Sequence, residues 1–260
     1  MRVASWQCAR LPERRWRANA DVPTRSILLT GVGAPGQVAA AVARGFAERG
    51  DHVVLVGHDE ARARDRAADL QQLGYRATAY GCDLADPAAT DRLAAAVRAD
   101  VGDRLDAAVL MAGGFAVTGP LDRSDPAEFE RQLAINLRTA VFTTRSFLPS
   151  LRRARGALVY FSSEAVLPGA SMKGIAGYAV AKAGVAMLMR AVAQDERANG
   201  VRANAIAPGT IGTAANLSAK EPPKLVDIAA VVHLVILLCS DTGVFMTGEI
   251  IHMTPMDRRQ

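Results

Sequence analysis

The sequence predicts a single-domain α/β fold in which helices cover both faces of one doubly wound parallel sheet of about seven strands. Two observations predict it. From Ser26 onward, short apolar runs alternate with longer helical segments, and no internal linker or repeat interrupts them. Most of the apolar runs are continuous rather than alternating in polarity, which is typical of strands that are covered on both sides.

Seven apolar runs are predicted as strands: SILLT (26–30), HVVLV (52–56), RATAY (76–80), AAVLM (107–111), ALVYF (157–161), VRANAI (201–206) and EIIHM (249–253). The first helix lies within QVAAAVARGFAERG, where Val38, Val42 and Phe46 recur at helical spacing. Gly50 ends that helix before the second strand begins.

The positive charge of the chain is concentrated at one end. The formal net charge is +5, and residues 1–25 hold six arginines against one Glu and one Asp. We therefore interpret residues 1–25 as a basic, disordered extension and residues 26–260 as the folded domain. Because the excess positive charge lies mainly in the extension, the folded domain is not predicted to bind nucleic acid. Organelle targeting and nucleic-acid binding through the extension are the alternatives; the extension lacks the apolar segment of a secretory signal.

The cysteines and the hydropathy pattern predict the compartment. Cys8, Cys82 and Cys239 are far apart and odd in number, so they match neither a disulfide framework nor metal-ligand spacing. No uninterrupted apolar run is long enough to span a bilayer. We predict a reducing, cytoplasmic location, no membrane association and no catalytic metal, because His, Cys and carboxylate residues do not cluster.

A glycine-rich loop joins the first strand to the first helix. In TGVGAPGQV, Gly31, Gly33 and Gly36 form the pattern G-x-G-x-x-G. Glycines at this spacing permit a tight turn and let backbone amides approach a pyrophosphate at the positive end of the following helix. The loop therefore predicts a dinucleotide site, and the alternative is a glycine-rich turn that binds no ligand.

The end of the second strand bears on which dinucleotide binds. An acidic residue there would hold the ribose 2′-hydroxyl of NAD. The sequence instead offers Gly57 and His58, with Asp59 slightly late. A small residue followed by a cationic one leaves room for a 2′-phosphate, so we predict NADP in preference to NAD. The alternative is that His58 is an ordinary exposed loop residue.

Tyr178 and Lys182 stand one helical turn apart in the largely apolar segment GYAVAKAGV. Side chains at positions i and i+4 lie on the same helix face and can meet. The ordinary pKa of a phenol is about 10, and a neighbouring ammonium group favours the phenolate. We therefore expect Lys182 to lower the pKa of Tyr178, which would suit the phenol to acid–base catalysis.

Several motifs occur together in a recognisable order, and the region from about residue 26 to 253 resembles the short-chain dehydrogenase/reductase family. They are TGVGAPG, CDLAD, LAINL, YFSSEA, YAVAK, IAPGTIGT and LLCSDTGVFMTGEII. The resemblance implies a Rossmann-type fold. It also implies an NAD(P)-dependent oxidoreductase that transfers a hydride between nicotinamide and a small carbonyl or alcohol.

The resemblance implies four catalytic residues. Tyr178 would act as general acid or base, and Lys182 would also bind the nicotinamide ribose. Ser163, preferred to Ser162 because the spacing to Tyr178 is slightly longer than usual, would donate a hydrogen bond to the substrate oxygen. Asn136 would hold a water that links Lys182 to solvent.

The resemblance and the glycine loop together imply the cofactor-binding set. It consists of Gly31, Gly33, Gly36, Gln37, His58, Asp83, Leu84, Ala112, Gly113, Tyr178, Lys182, Pro208, Gly209, Ile211 and Thr213. Of these, Asp83 is expected near the adenine, and Pro208, Gly209 and Thr213 around the nicotinamide.

The sequence departs from the family pattern in two further ways. Leu110 and Met111 replace the two asparagines of the family's N-N-A-G segment, which removes a hydrogen-bonding side chain near the cofactor. The segment between Thr213 and Asp227 is short for a substrate lid. With MAGGF and PGTIGTAAN, the short lid resembles the dihydropteridine reductase-like branch of the family.

The substrate pocket is predicted to be largely apolar. Its expected walls are Phe115, Val166, Leu167, Met172 and residues 214–226. Glu164 is interpreted as a solvated loop acid. The alternative is that it faces the pocket and selects a polar or cationic substrate group.

Two apolar helical segments, residues 128–148 and 177–196, predict a homo-oligomer, a tetramer or a dimer. The alternative to an enzyme is a dinucleotide-sensing regulatory protein with the same fold and no turnover. Tyr178 and Lys182 argue against that alternative, because a sensor does not require a tuned phenol.

Overall fold

The computed structural model describes residues 24–218 and 224–255. Its seven strands are β1 Ser26–Thr30, β2 His52–Gly57, β3 Ala77–Gly81, β4 Ala107–Leu110, β5 Ala157–Phe161, β6 Arg202–Pro208 and β7 Ile250–Met253. All seven predicted strands are confirmed, because buried strands of a parallel sheet carry continuous apolar runs that are easy to detect.

Eight α-helices lie between the strands of this described region. They are α1 Val38–Ala47, α2 Glu60–Gln72, α3 Pro87–Val101, α4 Pro126–Leu133, α5 Thr139–Ala154, α6 Ala176–Asp195, α7 Ala214–Leu217 and α8 Ile228–Leu238. A π-helical turn, Ala134–Arg138, joins α4 directly to α5. Short 3₁₀ turns occupy Leu121–Arg123, Glu164–Val166, Arg197–Asn199 and Asp241–Gly243.

The strands form one parallel sheet in the order β3-β2-β1-β4-β5-β6-β7. The strand β1 pairs with β2 on one side, where Ile27 lies opposite Val53, and with β4 on the other, where Ile27 lies opposite Ala107. The chain therefore changes direction across the sheet between β1 and β4. In open α/β sheets, ligands bind outside the carboxyl ends of the strands at such a switch point.

Helices cover both faces of the sheet, as predicted. Side chains of β1 alternate between the two layers: Ile27 and Leu29 pack in the cluster that includes residues of α1, α2 and α8. Leu28 packs in the opposite cluster, with residues of α3, α5 and α6. The doubly wound architecture of the sequence prediction is confirmed.

Aspartate caps begin most of the longer helices. Asp59, Asp86, Asp125 and Asp227 each accept a hydrogen bond from a backbone amide of the first turn of α2, α3, α4 and α8. At α1 the N-cap residue is Gln37, whose side chain makes no capping hydrogen bond. The first amides of α1 are therefore left without the side-chain partner that these other helices provide.

The N-terminal extension lies outside the described residues except for Thr24 and Arg25. Arg25, which the sequence analysis assigned to the extension, is bound to the domain: its Nη2 donates to the carbonyl of Cys239 at 2.6 Å. The backbone carbonyl of Arg25 also accepts the amide of His52 at 2.8 Å. Arg25 therefore packs against the domain through both its side chain and its backbone.

Helix α6 is long and apolar enough to meet the length and composition criteria for a membrane span. Half of the apolar window is buried inside the fold, against β5 and β6 among other elements. It also carries the buried Lys182. A core helix can meet the same criteria, and its burial against neighbouring elements makes α6 a core helix of this fold.

A charged pair fastens the end of α5 to the end of α6. Arg152 donates two hydrogen bonds to the carboxylate of Glu196, at 2.8 Å from Nε and 2.6 Å from Nη2. The Glu196 side chain is 4% exposed, and it also accepts a hydrogen bond from Asn199. These hydrogen bonds, that from Arg152 above all, hold the pKa of Glu196 below its ordinary value.

We expect Glu196→Gln to lower the free energy of unfolding by about 1–2 kcal/mol at neutral pH, because it removes charge-assisted hydrogen bonds at a buried site. Since the pKa of Glu196 is lowered by folding, its stabilising effect is present above the unfolded pKa of about 4.3 and is lost as pH falls further. Urea denaturation at pH 7 and pH 3.5 should show the difference between wild type and variant shrinking at the lower pH. The matched control is Asp103→Asn, which removes an exposed carboxylate 4.0 Å from Arg153 and should change stability by no more than about 0.5 kcal/mol.

Candidate active site

A cleft of about 1360 Å³ opens at the carboxyl ends of β4, β5 and β6. Its walls come from the loops after these strands, from Gln37 before α1, and from the first turns of α6. Sites for one small molecule usually measure roughly 300–1,000 Å³. The cleft therefore has room for part of a cofactor together with a substrate.

The glycine loop after β1 is tied to the loop after β4. The Thr30 hydroxyl oxygen accepts hydrogen bonds from the amides of Met111 and Ala112, at 3.0 and 3.2 Å. Gly31 has a φ of +76°, and a Cβ built on it would lie 2.7 Å from the Ala112 nitrogen. Only glycine permits this close approach of the two loops.

Further along the loop, Gly33 borders open space. A Cβ built on Gly33 meets nothing within 4 Å, whereas Gly36, with a φ of +73°, faces the Ala214 side chain at 2.9 Å. Gln37 follows and lines the cleft. The loop therefore presents bare backbone and an uncapped helix start, an arrangement that suits a pyrophosphate.

Seven predicted cofactor residues lie outside the cleft lining. Four are in the loops after β1 and β4, and three lie at the carboxyl ends of β2 and β3: Gly31, Gly33, Gly36, Ala112, His58, Asp83 and Leu84. His58 is exposed after Gly57. Asp83 is exposed as well, and its carboxylate accepts the amide of Ala85 at 2.9 Å, while Leu84 is buried in the core. His58 and Asp83 are on the same edge of the sheet as the glycine loop and are open to the adenosine part of a dinucleotide, whereas the Leu84 side chain is enclosed in the core.

The two serines after β5 have different surroundings. The Ser162 hydroxyl is buried and donates to the Lys182 carbonyl at 3.0 Å, which is a structural contact with α6. Ser163 Oγ accepts the amide of Ala165 at 3.2 Å and lines the cleft beside Tyr178. Of the two, Ser163 is therefore the serine that is free to bind a substrate oxygen.

Tyr178 and Lys182 lie on the face of α6 that borders the cleft. The Tyr178 ring meets the Phe115 ring edge to face, with centroids 5.0 Å apart. Lys182 is 7% exposed, and its Nζ donates to the Phe161 carbonyl at 2.9 Å. Nζ lies 5.7 Å from the centroid of the Tyr178 ring.

The expected lowering of the Tyr178 pKa by Lys182 is not what the structure gives. Burial raises the pKa of Tyr178, the hydrogen bond with Ser163 lowers it in part, and the negative charge of Glu164 raises it further. Burial also lowers the pKa of Lys182 to about 8. The spacing of the two residues predicts the effect of the ammonium group, but the loss of water around both groups depends on the packing of the whole site.

Asn136 is held by the π-helical turn between α4 and α5. Its Oδ1 accepts the amide of Gly114 at 3.1 Å, and its Nδ2 donates to the Gly114 carbonyl at 2.9 Å and to Gln132. A Cβ on Gly113 would collide with Asn136 Oδ1 and would lie 3.4 Å from Lys182 Nζ. Asn136 and Lys182 are thus brought together around the bare backbone of Gly113.

Glycines on α6 let that helix approach the neighbouring elements closely. A Cβ on Gly177 would lie 3.3 Å from atoms of Phe129 and Gln132, and one on Gly184 would lie 2.9 Å from the Leu137 side chain. The small residues of GYAVAKAGV therefore position α6 against α4 and the π-helical turn.

The loop after β6 closes the other side of the cleft. Pro208, Gly209, Ile211 and Thr213 all line it, as do Thr210 and Asn216. Asn216 Nδ2 donates to the Ile211 carbonyl at 2.8 Å. The loop is also paired to the chain beyond the undescribed residues, through the amide of Gly212 and the carbonyl of Val226 at 2.8 Å.

The pocket walls differ in part from those predicted. Phe115 and Leu167 line the cleft, whereas Val166 and Met172 do not. Lys173 lines it, and so does Glu164, which the sequence analysis interpreted as a solvated loop acid. Lys173 was missed, because no local pattern in the sequence indicates which side chain of an irregular loop turns inward. For Glu164 the structure agrees with the alternative interpretation, in which this residue faces the pocket. Part of the predicted wall 214–226 lies outside the described residues.

Within the described ranges, no group of three or more His, Cys, Asp or Glu side chains is placed to hold a metal ion.

The sequence of this chain is similar to a protein-family model and to several known dehydrogenases and reductases. The family model described as Enoyl-(Acyl carrier protein) reductase matches residues 31–254. The chain is 32% identical over 231 residues to cis-4-hydroxycyclohexanecarboxylate dehydrogenase of Sinomonas cyclohexanicum, and the match covers 84% of this chain and 91% of the relative.

Two solved structures share the fold over most of their length. A short-chain type dehydrogenase/reductase from Mycobacterium ulcerans has a TM-score of 0.80 at 26% identity, and the match covers 89% of this chain and 88% of the other. A 3-oxoacyl-[acyl-carrier protein] reductase from Brucella melitensis with bound NAD has a TM-score of 0.77 at 27% identity, covering 89% and 90%.

The open space next to Gly33 allows a test of whether the glycine loop binds the cofactor. Gly33→Ala should leave the free energy of unfolding within about 1 kcal/mol of wild type, because the new methyl group has no clash and the backbone is not left-handed. The methyl group would obstruct the approach of a pyrophosphate, so the Kd for NADP(H) or NAD(H) should rise roughly tenfold or more. Isothermal titration calorimetry measures this Kd.

The next glycine of the loop, Gly36, should respond differently to the same substitution. Gly36→Ala should lower Tm by several degrees without any ligand, because of its positive φ and the Ala214 contact. Binding by Gly33→Ala as tight as that of wild type would contradict the assignment of this loop to the cofactor.

Proposed function

Because this chain belongs to the short-chain dehydrogenase/reductase family, whose members are NAD(P)-dependent oxidoreductases, we propose that it oxidises or reduces a small substrate at a CH–OH carbon with Tyr178 as the acid–base group. The observation that carries the proposal is the meeting of Ser163, Tyr178 and Lys182 at the inner wall of one cleft.

Tyr178 exchanges the proton of the reacting oxygen. In the direction of alcohol oxidation, the phenolate takes the hydroxyl proton as the carbon loses its hydride; in the reverse direction, the phenol returns it to the forming alkoxide. Ser163 donates a hydrogen bond to the same oxygen and stabilises its developing charge. Bound nicotinamide supplies the hydride-accepting or hydride-donating carbon.

Lys182 is placed to bind the cofactor. Its amino group is buried with a pKa near 8, so its charge is sensitive to any anion or hydroxyl group that enters the cleft. A ribose hydroxyl bound beside Nζ would complete the hydrogen bonds that Phe161 alone provides. Asn136 holds the adjoining backbone at Gly114, and we assign to it the support of a water that carries protons from Lys182 to solvent.

The residues after β1 and β4 fit a dinucleotide. Gly31 and Gly36 provide the turn, Gly33 leaves backbone bare, and Gln37, Ala112 and Gly113 border the place where the pyrophosphate and nicotinamide ribose would lie. The preferred cofactor is NADP(H), because the exposed His58 can face a 2′-phosphate and the carboxylate of Asp59, the first acidic residue after β2, is engaged in capping α2. Asp83 and Leu84 complete the adenine end.

The substrate is a small carbonyl or alcohol with an apolar body. Phe115, Leu167 and Ile175 give the cleft apolar walls, and the reacting oxygen must reach Tyr178 between them. Lys173 adds one cation to the lining. It would suit a carboxylate remote from the reacting carbon, a group that the name of the Sinomonas relative's substrate also contains. The likeness to the dihydropteridine reductase-like branch stays a prediction.

The protein is proposed to work as a cytoplasmic homo-oligomer, a tetramer or a dimer. An exposed apolar stripe on α6 supports this proposal. Val180 and Met187 are 51% and 52% exposed and lie on the same helix face as the exposed Ala183. An apolar stripe of this kind is usually covered by another subunit.

Tyr178→Phe should lower kcat about 10²- to 10⁴-fold while the Kd of the cofactor changes by less than about threefold, because the variant removes the proton carrier and keeps the ring. Steady-state kinetics with a panel of secondary alcohols and ketones, and calorimetry with NADPH, measure the two effects. Tyr80→Phe is the matched control: Tyr80 is on β3, away from the cleft, and its phenol donates a hydrogen bond to Asp100 of α3.

The same pair of measurements separates an enzyme from the dinucleotide-sensing alternative. Wild-type protein that binds cofactor but turns over none of the panel, with a Tyr178→Phe variant that behaves identically, would favour a sensor.

Cofactor preference is tested by thermal stability. A ligand at a hundred times its Kd stabilises the native state by about 2.7 kcal/mol, which corresponds to several degrees in Tm for a domain of this size. We expect NADPH to raise Tm more than NADH does. His58→Asp should reverse the order, because a carboxylate repels the 2′-phosphate and accepts a bond from the 2′-hydroxyl. A wild-type shift that is larger with NADH would overturn the NADP preference.

A further inference from the structure

Glu164 places a carboxylate beside the reacting groups. It is the first residue of the Glu164–Val166 turn, which is fixed at both ends: Ser163 Oγ caps the amide of Ala165 at 3.2 Å, and the amide of Leu167 donates to the Glu164 carbonyl at 3.0 Å. The backbone that carries this side chain is therefore held in place by its neighbours.

The carboxylate turns across the cleft toward the loop after β6. Its Oε2 lies 2.7 Å from the position that a Cβ on Gly209 would occupy, and its Cδ lies 3.3 Å from that position. A side chain at position 209 would displace it. The carboxylate therefore bridges the cleft from the β5 side, where Ser163 lies, to the β6 side.

No cation neutralises this carboxylate in the described part of the chain. None of the hydrogen bonds or ion pairs found within residues 24–218 and 224–255 involves it. The other charged side chains on the cleft lining are Lys173 and Lys182, and the Lys182 ammonium group is bonded to the Phe161 carbonyl. A negative charge thus faces the reacting end of the cleft.

The proposed function, on which this inference rests, determines what that charge meets. The hydride leaves the carbon bonded to the oxygen that Ser163 and Tyr178 bind, so the accepting ring must lie against that carbon, within the same cleft. An oxidised nicotinamide ring is cationic, and the reduced ring is neutral. Of the two redox forms of the cofactor, only the oxidised one would gain attraction from a nearby carboxylate.

We infer that Glu164 makes this site bind the oxidised cofactor more tightly than the reduced one. When the oxidised cofactor reacts, the alcohol carbon gives up a hydride, with two electrons, to the ring, and the hydroxyl proton passes to the Tyr178 oxygen. The products are a ketone or aldehyde and the neutral reduced cofactor. Glu164 takes no proton in this step and acts as a positioning charge.

The test is a comparison of binding constants. Calorimetry gives the Kd of NADP⁺ and of NADPH, and likewise of NAD⁺ and NADH, for wild type and for Glu164→Gln. The Kd of the oxidised form should rise about tenfold in the variant, as expected for one partly screened charge pair, while that of the reduced form should change by less than about twofold. Glu164→Asp, which keeps the charge but withdraws it by one methylene group, should give an intermediate ratio.

The charge-matched control is Asp65→Asn, which removes an exposed carboxylate on α2 outside the cleft lining and should leave both constants unchanged. The melting temperature of each variant shows whether it is folded. Equal weakening of both redox forms would assign Glu164 a structural role and overturn the inference. Unchanged constants with a raised KM would assign it to substrate recognition, which also overturns it. A wild-type protein that binds neither form would refute the proposed function itself.

Discussion

The site depends on the contact between the ends of β1 and β4. Here a single hydroxyl oxygen, that of Thr30, accepts two amides of the neighbouring loop, and Gly31 brings the two backbones together without an intervening side chain. Because β1 and β4 are the strands between which the chain reverses direction, their loops diverge and would otherwise leave a gap. Fastening them fixes both the glycine loop and the Gly113–Gly114 backbone on which Asn136 and Lys182 converge.

A second constraint is the cost of burying polar groups at the inner end of the cleft. Asn136 and Lys182 are 1% and 7% exposed, and each is satisfied by backbone: Asn136 by Gly114 and Gln132, and Lys182 by Phe161. Such bonds are what allow polar side chains to remain buried. The same burial alters acidity, since it lowers the pKa of Lys182 and raises that of Tyr178.

The fold could be predicted almost completely from the sequence, and the site only in part. Buried parallel strands can be predicted because they appear in the sequence as continuous apolar runs. Four motif residues lie on adjacent elements and therefore line one cleft: Asn136, Ser163, Tyr178 and Lys182. The inward turn of Glu164 was not predictable, because it depends on a loop whose path is set by capping and by the contact with Gly209. The direction of the Tyr178 pKa shift was not predictable either, because residues far apart in the sequence bury the phenol and exclude water from it.

The π-helical turn Ala134–Arg138 has a consequence for how this chain tolerates length changes. Its i→i+5 pairing accommodates one more residue than a regular helix does, and α4, the turn and α5 run on without a break. Deleting a single residue there would restore regular i→i+4 pairing and remove the bulge that carries Asn136, whereas the buried face of α5, with Phe147 and Leu151, would keep its orientation. Asn136 would then leave the position from which it bonds Gly114. Loops elsewhere on the surface can gain or lose residues gradually, whereas this segment is restricted to one length.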